Sequence, residues 1–193
     1  MTFAQGIDFR TSPSYVTDPA GCEPEISTTA NYPRVPLAGS STGIGWEGTI
    51  SGTRNRTTGV DARLAGMAFH SGSTTRTYRI DLPAPGTYDI RLAIGDATTT
   101  QTGQKVELLD DTTSLGLVVN NVSTFSTFYD ASGVERTPGA WPTQNVAITK
   151  TFATTIFRVK IGGGSNLTAI AHIHIADHVV VIPALTGVWG VVG

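Results

Sequence analysis

The sequence has 193 residues, of which 39% are hydrophobic and 15% charged, with a formal net charge of −2. That apolar share excludes a disordered chain, and the sparse, slightly negative charge (lysine only at Lys105, Lys150 and Lys160) excludes a protein that grips a nucleic-acid backbone. The lone Cys22 excludes an internal disulfide framework, and no run approaches the roughly 18 apolar residues of a membrane-spanning helix.

Residues 1–10 hold neither a basic stretch nor an apolar core, so no secretory signal is read there. Residues 10–65 are rich in Ser, Thr, Gly, Pro and Asn and are expected to form long loops over one end of the fold. Residues 77–82 then alternate, with Tyr78, Ile80 and Leu82 on one face and Arg79 and Asp81 on the other. After Pro83-Ala84-Pro85-Gly86 the alternation resumes, with Tyr88, Ile90, Leu92 and Ile94 inward and Asp89 and Arg91 outward. Two period-2 runs around a Pro/Gly turn predict a β-hairpin with one buried face. Residues 104–109 and 115–120 predict a second pair around Asp110-Asp111, and residues 122–129 form an aromatic-rich strand. A loop with Trp141 spans residues 130–144. Residues 146–152 and 155–161 predict a late pair, and Gly162-Gly163-Gly164 leads into a last strand at 168–176. No amphipathic helix longer than about two turns is expected. Many short antiparallel strands predict an all-β, antiparallel jelly-roll β-sandwich over residues 1–178.

Residues 179–193 differ from the rest. They are almost wholly apolar, through Val179, Val180, Val181, Ile182, Leu185, Val188, Trp189, Val191 and Val192. Pro183, Gly187 and Gly190 interrupt the run, so it does not read as a membrane span. A free tail of this kind is an aggregation hazard in water. It is expected to be an assembly segment on a neighbouring subunit, or an extra edge strand on its own sheet.

Several motif matches lack the context their chemistry needs. Gly39-Ser40-Ser41-Thr42-Gly43 fits a hydrolase nucleophile turn, but its flanks are loop-like and no helix follows. Gly43 to Gly48 fits a dinucleotide fingerprint, but reads as a strand with glycine kinks. The sequons at Asn55, Asn121 and Asn166 read as chance matches in a Thr-rich chain. His172 and His174 share one face of a strand and would hold zinc if a third ligand arrived from elsewhere. The simpler reading is two imidazoles served by water or neighbours, so neither metal nor cofactor is expected. Tyr32, Trp46 and Trp141 fall in or beside loops, where aromatic faces stack on sugar rings, or else plug the ends of a sandwich. No paired carboxylates or Ser/His/Asp set stands out for catalysis.

Five segments together carry a likeness. They are Ile7-Asp8-Phe9-Arg10-Thr11; Gly43-Ile44-Gly45-Trp46; Arg54-Asn55-Arg56 with Asp61; Tyr78-Arg79-Ile80-Asp81-Leu82-Pro83; and Gly86 through Asp96. In this order the chain, over about residues 5–176, resembles the galactose-binding-like, malectin-like β-sandwich domains found beside rhamnogalacturonan acetylesterase-type hydrolases. The resemblance implies a jelly roll and a carbohydrate-binding role, with Tyr32, Trp46, Arg54, Arg56, Asp61 and Trp141 as candidate ligand contacts. Arg10 stands where that family usually has glycine, and Asn55 where it often has aspartate. The hydrolase's catalytic serine motif is absent, and Gly95-Asp96-Ala97 closes a strand instead.

The expected function is therefore a non-catalytic structural or accessory protein of a larger assembly, such as a phage virion capsid-decoration or tail-associated protein. Its expected partners are other protein subunits, with glycans as a further class, and neither nucleic acid nor membrane. The alternative is a stand-alone carbohydrate-binding module with an extracellular location.

Overall fold

The computed structural model describes residues 2–11, 22–26, 28–29, 31–36, 39–56 and 61–179. They form strands β1 (Ala4–Phe9), β2 (Cys22–Glu25), β3 (Ile44–Trp46), β4 (Gly52–Asn55), β5 (Gly66–Ser71), β6 (Thr75–Asp81) and β7 (Gly86–Gly95). Then follow β8 (Thr100–Asp110), β9 (Thr113–Phe125), β10 (Phe128–Tyr129), β11 (Glu135–Arg136), β12 (Ile148–Phe152), β13 (Ile156–Gly162) and β14 (Leu167–Asp177). A 3-10 turn at Ala62–Leu64 and one short helix, α1 (Trp141–Gln144), complete the set among the described residues. None of these helices is long and apolar enough to cross a membrane.

The strands make two sheets. The larger runs β11-β10-β7-β14-β1-β2, with β12 also on β7, β5 beside β14 and β4 beside β5. The smaller runs β3-β6-β13-β8-β9. Period-2 alternation turns Ile7, Phe9, Ile90, Leu92, Ile173 and Ile175 of the larger sheet toward Trp46, Tyr78, Ile80, Val106, Phe157 and Val159 of the smaller. All twelve are fully buried, so the chain is an all-β protein with one principal core between two sheets.

The hairpin expected at residues 77–94 is corrected. Both runs are strands and both bury the predicted faces. However, β6 pairs with β3 and β13 in the smaller sheet, while β7 pairs with β12 and β14 in the larger. The late pair at 146–161 is corrected in the same way, because β12 joins β7 and β13 joins β6. Each connection is an arch from one sheet to the other, and the two arches lie side by side, tied by Leu82 N–H donating to the Thr155 carbonyl at 2.8 Å. Pro83 and Pro85 bring no N–H to a tight turn, which favours a crossing over a ladder. By contrast, β8 and β9 form the hairpin expected around Asp110-Asp111.

A smaller cluster covers part of the larger sheet's outer face. Leu64, Trp141 and Phe128 pack there over Met67, Ala93, Ala169 and Ala171. A bulge between Ile170 and His172 shifts the phase of β14, so Ala169 and Ala171 serve this outer cluster while Ile173 and Ile175 return to the core.

Candidate functional site

Trp46 is fully buried, its ring centroid 5.0 Å from Tyr78 and 5.6 Å from Phe9. Trp141 is also fully buried, and its Nε1–H donates to the Leu92 carbonyl at 3.0 Å. Neither indole presents a face at the surface, so the reading of both as ligand-stacking rings gives way to a packing role. Tyr32 is half-buried; its hydroxyl donates to Asp81 at 3.0 Å and the Arg79 guanidinium covers its ring at 4.1 Å. Arg54 is exposed and lies 4.4 Å over Phe69. Arg56 donates to both Asp96 oxygens, at 2.8 and 2.6 Å. Asp61 caps the 3-10 turn and holds Arg63 at 2.6 Å. Of the six, Asp61 and Trp141 meet through Arg63, whose guanidinium is 5.1 Å from the indole, and Tyr32 joins Trp46 along the backbone of β3.

The serine of the hydrolase-like match is a turn residue. Ser41 Oγ lies 2.8 Å from the Gly43 carbonyl and 2.9 Å from that of Asp81. The glycine-rich match that follows it contains strand β3, with Gly45 at φ +140° and no room for a Cβ, which would stand 2.2 Å from Asn31 Oδ1. A second polar network went unnoticed in the sequence. Glu23 and Glu25 are buried, Arg34 binds both, and the Tyr78 hydroxyl donates to Glu25 at 2.9 Å. Every member is paired, and burial raises the Tyr78 hydroxyl well above its ordinary value.

The histidines lead to a more unusual place. His172 and His174 do share a face, with rings stacked at 10° and 6.4 Å between centroids. Antiparallel β1 sets Asp8 opposite His172 and Gly6 opposite His174, while parallel β2 sets Cys22 beside Gly6. Gly6, between Cys22 and His174 in the register, brings no side chain to separate them. Asp8 Oδ1 lies 2.6 Å from His172 Nδ1. Asp8, Cys22 and His172 are all buried, and one donor atom of each lies within 4.8 Å of the others. Among the described residues this is the one group of three or more such side chains that meets the spacing of a metal site. Asp8 Oδ2 accepts no hydrogen bond and stands 3.6 Å from Arg10 Nη2. Trp141 packs edge-on against His172 at 5.8 Å.

The electrostatics argue against a thiol nucleophile. Burial, reinforced by the negative Asp8, pushes the Cys22 thiol up to about 12. A thiol activated for attack needs the opposite shift. Burial, then His172 and Arg91, pushes His174 down to about 4.

The surface offers a different feature at the open edge of the sandwich. The smaller sheet ends at β9, whose outer side pairs with no strand among the described residues. Between β9 and β12 lies a groove of about 350 Å³ lined by Leu108, Leu115, Leu117, Val118, Ala131 and Ile148, with Lys150 at its side. Leu117 is 49% exposed and Phe125, at the end of the same strand, 70%. The assembly segment expected from the sequence begins at Val179, which is exposed, and its remaining residues lie outside the described ones. No protein-family model matches the chain, and no curated protein matches it.

Proposed function

We propose that the chain is a non-catalytic structural or accessory module of a larger assembly, of the kind that decorates a phage capsid or tail. The sandwich is a jelly roll of galactose-binding-like type, and its working surface is the groove between β9 and β12. The observation that carries this reading is the unpaired, apolar edge of β9. An exposed edge strand is a template for a further strand, and soluble proteins ordinarily blunt such edges with charge or cover. Here Leu117 and Phe125 leave it apolar.

The occupant that fits is the apolar segment 180–193 of a second copy. It supplies apolar side chains for the groove, among them Val180, Ile182, Leu185 and Val188, and backbone groups for the β9 edge. Fourteen residues reach about 45 Å when extended, enough to cross to a neighbour. The virion setting and the galactose-binding-like assignment rest on the sequence resemblance and on the apolar tail.

Light scattering coupled to size-exclusion chromatography tests the reading. The intact chain is expected to run as a concentration-dependent oligomer. Deletion of residues 179–193, and separately Leu117→Asp, are each expected to give folded monomers. A clean monomer from the intact chain at tens of micromolar refutes assembly, and an oligomer that survives the deletion removes the tail as its cause.

A further inference from the structure

We infer that Asp8, Cys22 and His172 form a binding site for a divalent transition-metal ion, with zinc the best match to an O, S and N donor set. Three separate stretches of chain supply the donors, and the pairing of β1 with both β2 and β14 brings them together on one face. Tetrahedral zinc, with bonds of about 2.0–2.3 Å, holds its donors about 3–4 Å apart. The three donors already lie within 4.8 Å of one another, so modest side-chain rotation closes the site.

Two observations point to a ligand rather than to ordinary core. Asp8 is 2% exposed, yet its Oδ2 has no hydrogen-bond donor, and a buried carboxylate oxygen left in that state is costly. Cys22 is buried too, with its sulfur within 4.8 Å of an oxygen of that carboxylate. A cation satisfies both at once. On binding, the ion displaces the proton of the Cys22 thiol to solvent, and His172 ligates through a ring nitrogen that carries no proton. The sulfur then carries the charge that the ion neutralises.

The surroundings suit a structural rather than a catalytic ion. Trp141 closes on His172, and Arg63, held by Asp61, lies over Trp141. Arg10 Nη2 stands 3.6 Å from Asp8 Oδ2, too far for a hydrogen bond, so the guanidinium screens that oxygen without occupying the lone pair that would meet the metal. His174 stacks on His172, and its Nδ1 is buried without a partner, placing a further donor just behind the first three.

The test uses the full chain, reduced and stripped with a chelator, titrated with Co²⁺ and then Zn²⁺. One equivalent of Co²⁺ is expected to produce a thiolate-to-cobalt charge-transfer band in the near ultraviolet, which Zn²⁺ abolishes by displacement. Because Cys22 is the only cysteine in the chain, that band identifies the ligand without any substitution. Cys22→Ser is expected to remove the band and His172→Gln to weaken binding at least 100-fold, while His178→Ala at the surface leaves both unchanged. No charge-transfer band from the folded, reduced wild-type chain overturns the site, as does unchanged zinc affinity in folded Cys22→Ser.

Discussion

Trp46→Ala is expected to destabilise the protein by about 3–5 kcal/mol, a large fraction of the roughly 5–15 kcal/mol that holds a typical domain folded. The indole is fully buried where β3, β6 and β1 meet, in tilted or edge-to-face contact with Phe9 and Tyr78. Its removal opens a cavity that neither neighbour can fill, since those two rings already pack edge-to-face at 5.2 Å. The backbone around it is equally constrained. Trp46 N–H donates to Asn31 Oδ1 at 2.8 Å, and Asn31 N–H returns to the Trp46 carbonyl at 3.1 Å. Trp46→Phe should behave differently. The indole Nε1–H is buried with no acceptor, so phenylalanine loses volume but also relieves an unpaired donor. The expected cost is about 1–2 kcal/mol, well below the alanine value. Urea unfolding followed by circular dichroism measures both, and a Trp46→Ala midpoint near the wild-type value would return this ring to the surface role it was first given.

Which residues face inward was legible from the sequence, because alternation depends only on the two-residue period of a strand. Tyr78, Ile80, Tyr88, Ile90 and Leu92 are buried as that period requires. Which strand pairs with which was not. Both inner faces of an arch point at the core as the faces of a hairpin would, so period-2 patterning cannot separate them. The distinguishing contacts are remote. Asp110 accepts from Ala153 N–H at 2.6 Å and Thr154 N–H at 3.1 Å, which holds the second arch from across 43 or more residues. The Asp8 cluster was half legible for the same reason. His172 and His174 are neighbours in sequence and announce a shared face, whereas Asp8 lies 164 residues from His172 and meets it only through the pairing of β1 with β14. The aromatic candidates misled because loop-rich composition around Trp46 and Trp141 looks alike whether the ring is displayed or inserted. Trp46 sits in a three-residue strand and Trp141 in a four-residue helix, and both elements are too short to leave a periodic signature.

Arg56→Ala is expected to cost about 3 kcal/mol at neutral pH and progressively less on acidification. The Asp96 side chain is fully buried at the end of β7, where Arg56 holds both its oxygens. Thr98 N–H and Gln101 Nε2 add neutral donors at 3.0 and 3.1 Å. Burial alone would raise the Asp96 carboxyl, but the Arg56 hydrogen bonds and the Thr98 N–H outweigh it and hold the group below its ordinary value. A folded carboxylate held below its unfolded value of about 4 adds stability above that pH, and loses it as the pH falls through the folded value. Without Arg56 the order reverses. Burial then dominates, Asp96 rises above its unfolded value, and protonation relieves the variant where it harms the wild type. The two stability curves must therefore converge on acidification. His174, held down at about 4 against an ordinary 6.5, adds an acid-labile contribution to both proteins, full above about 6.5 and lost as the pH falls toward 4. It cancels in the difference, so the convergence belongs to Asp96. Asp96→Asn placed on the Arg56→Ala background should recover stability at pH 7 by removing the uncompensated charge. Chemical unfolding of the wild type and the two variants at pH 7, 5 and 3.5 decides the matter, and a deficit for Arg56→Ala that stays constant across that range excludes the ion pair as its source.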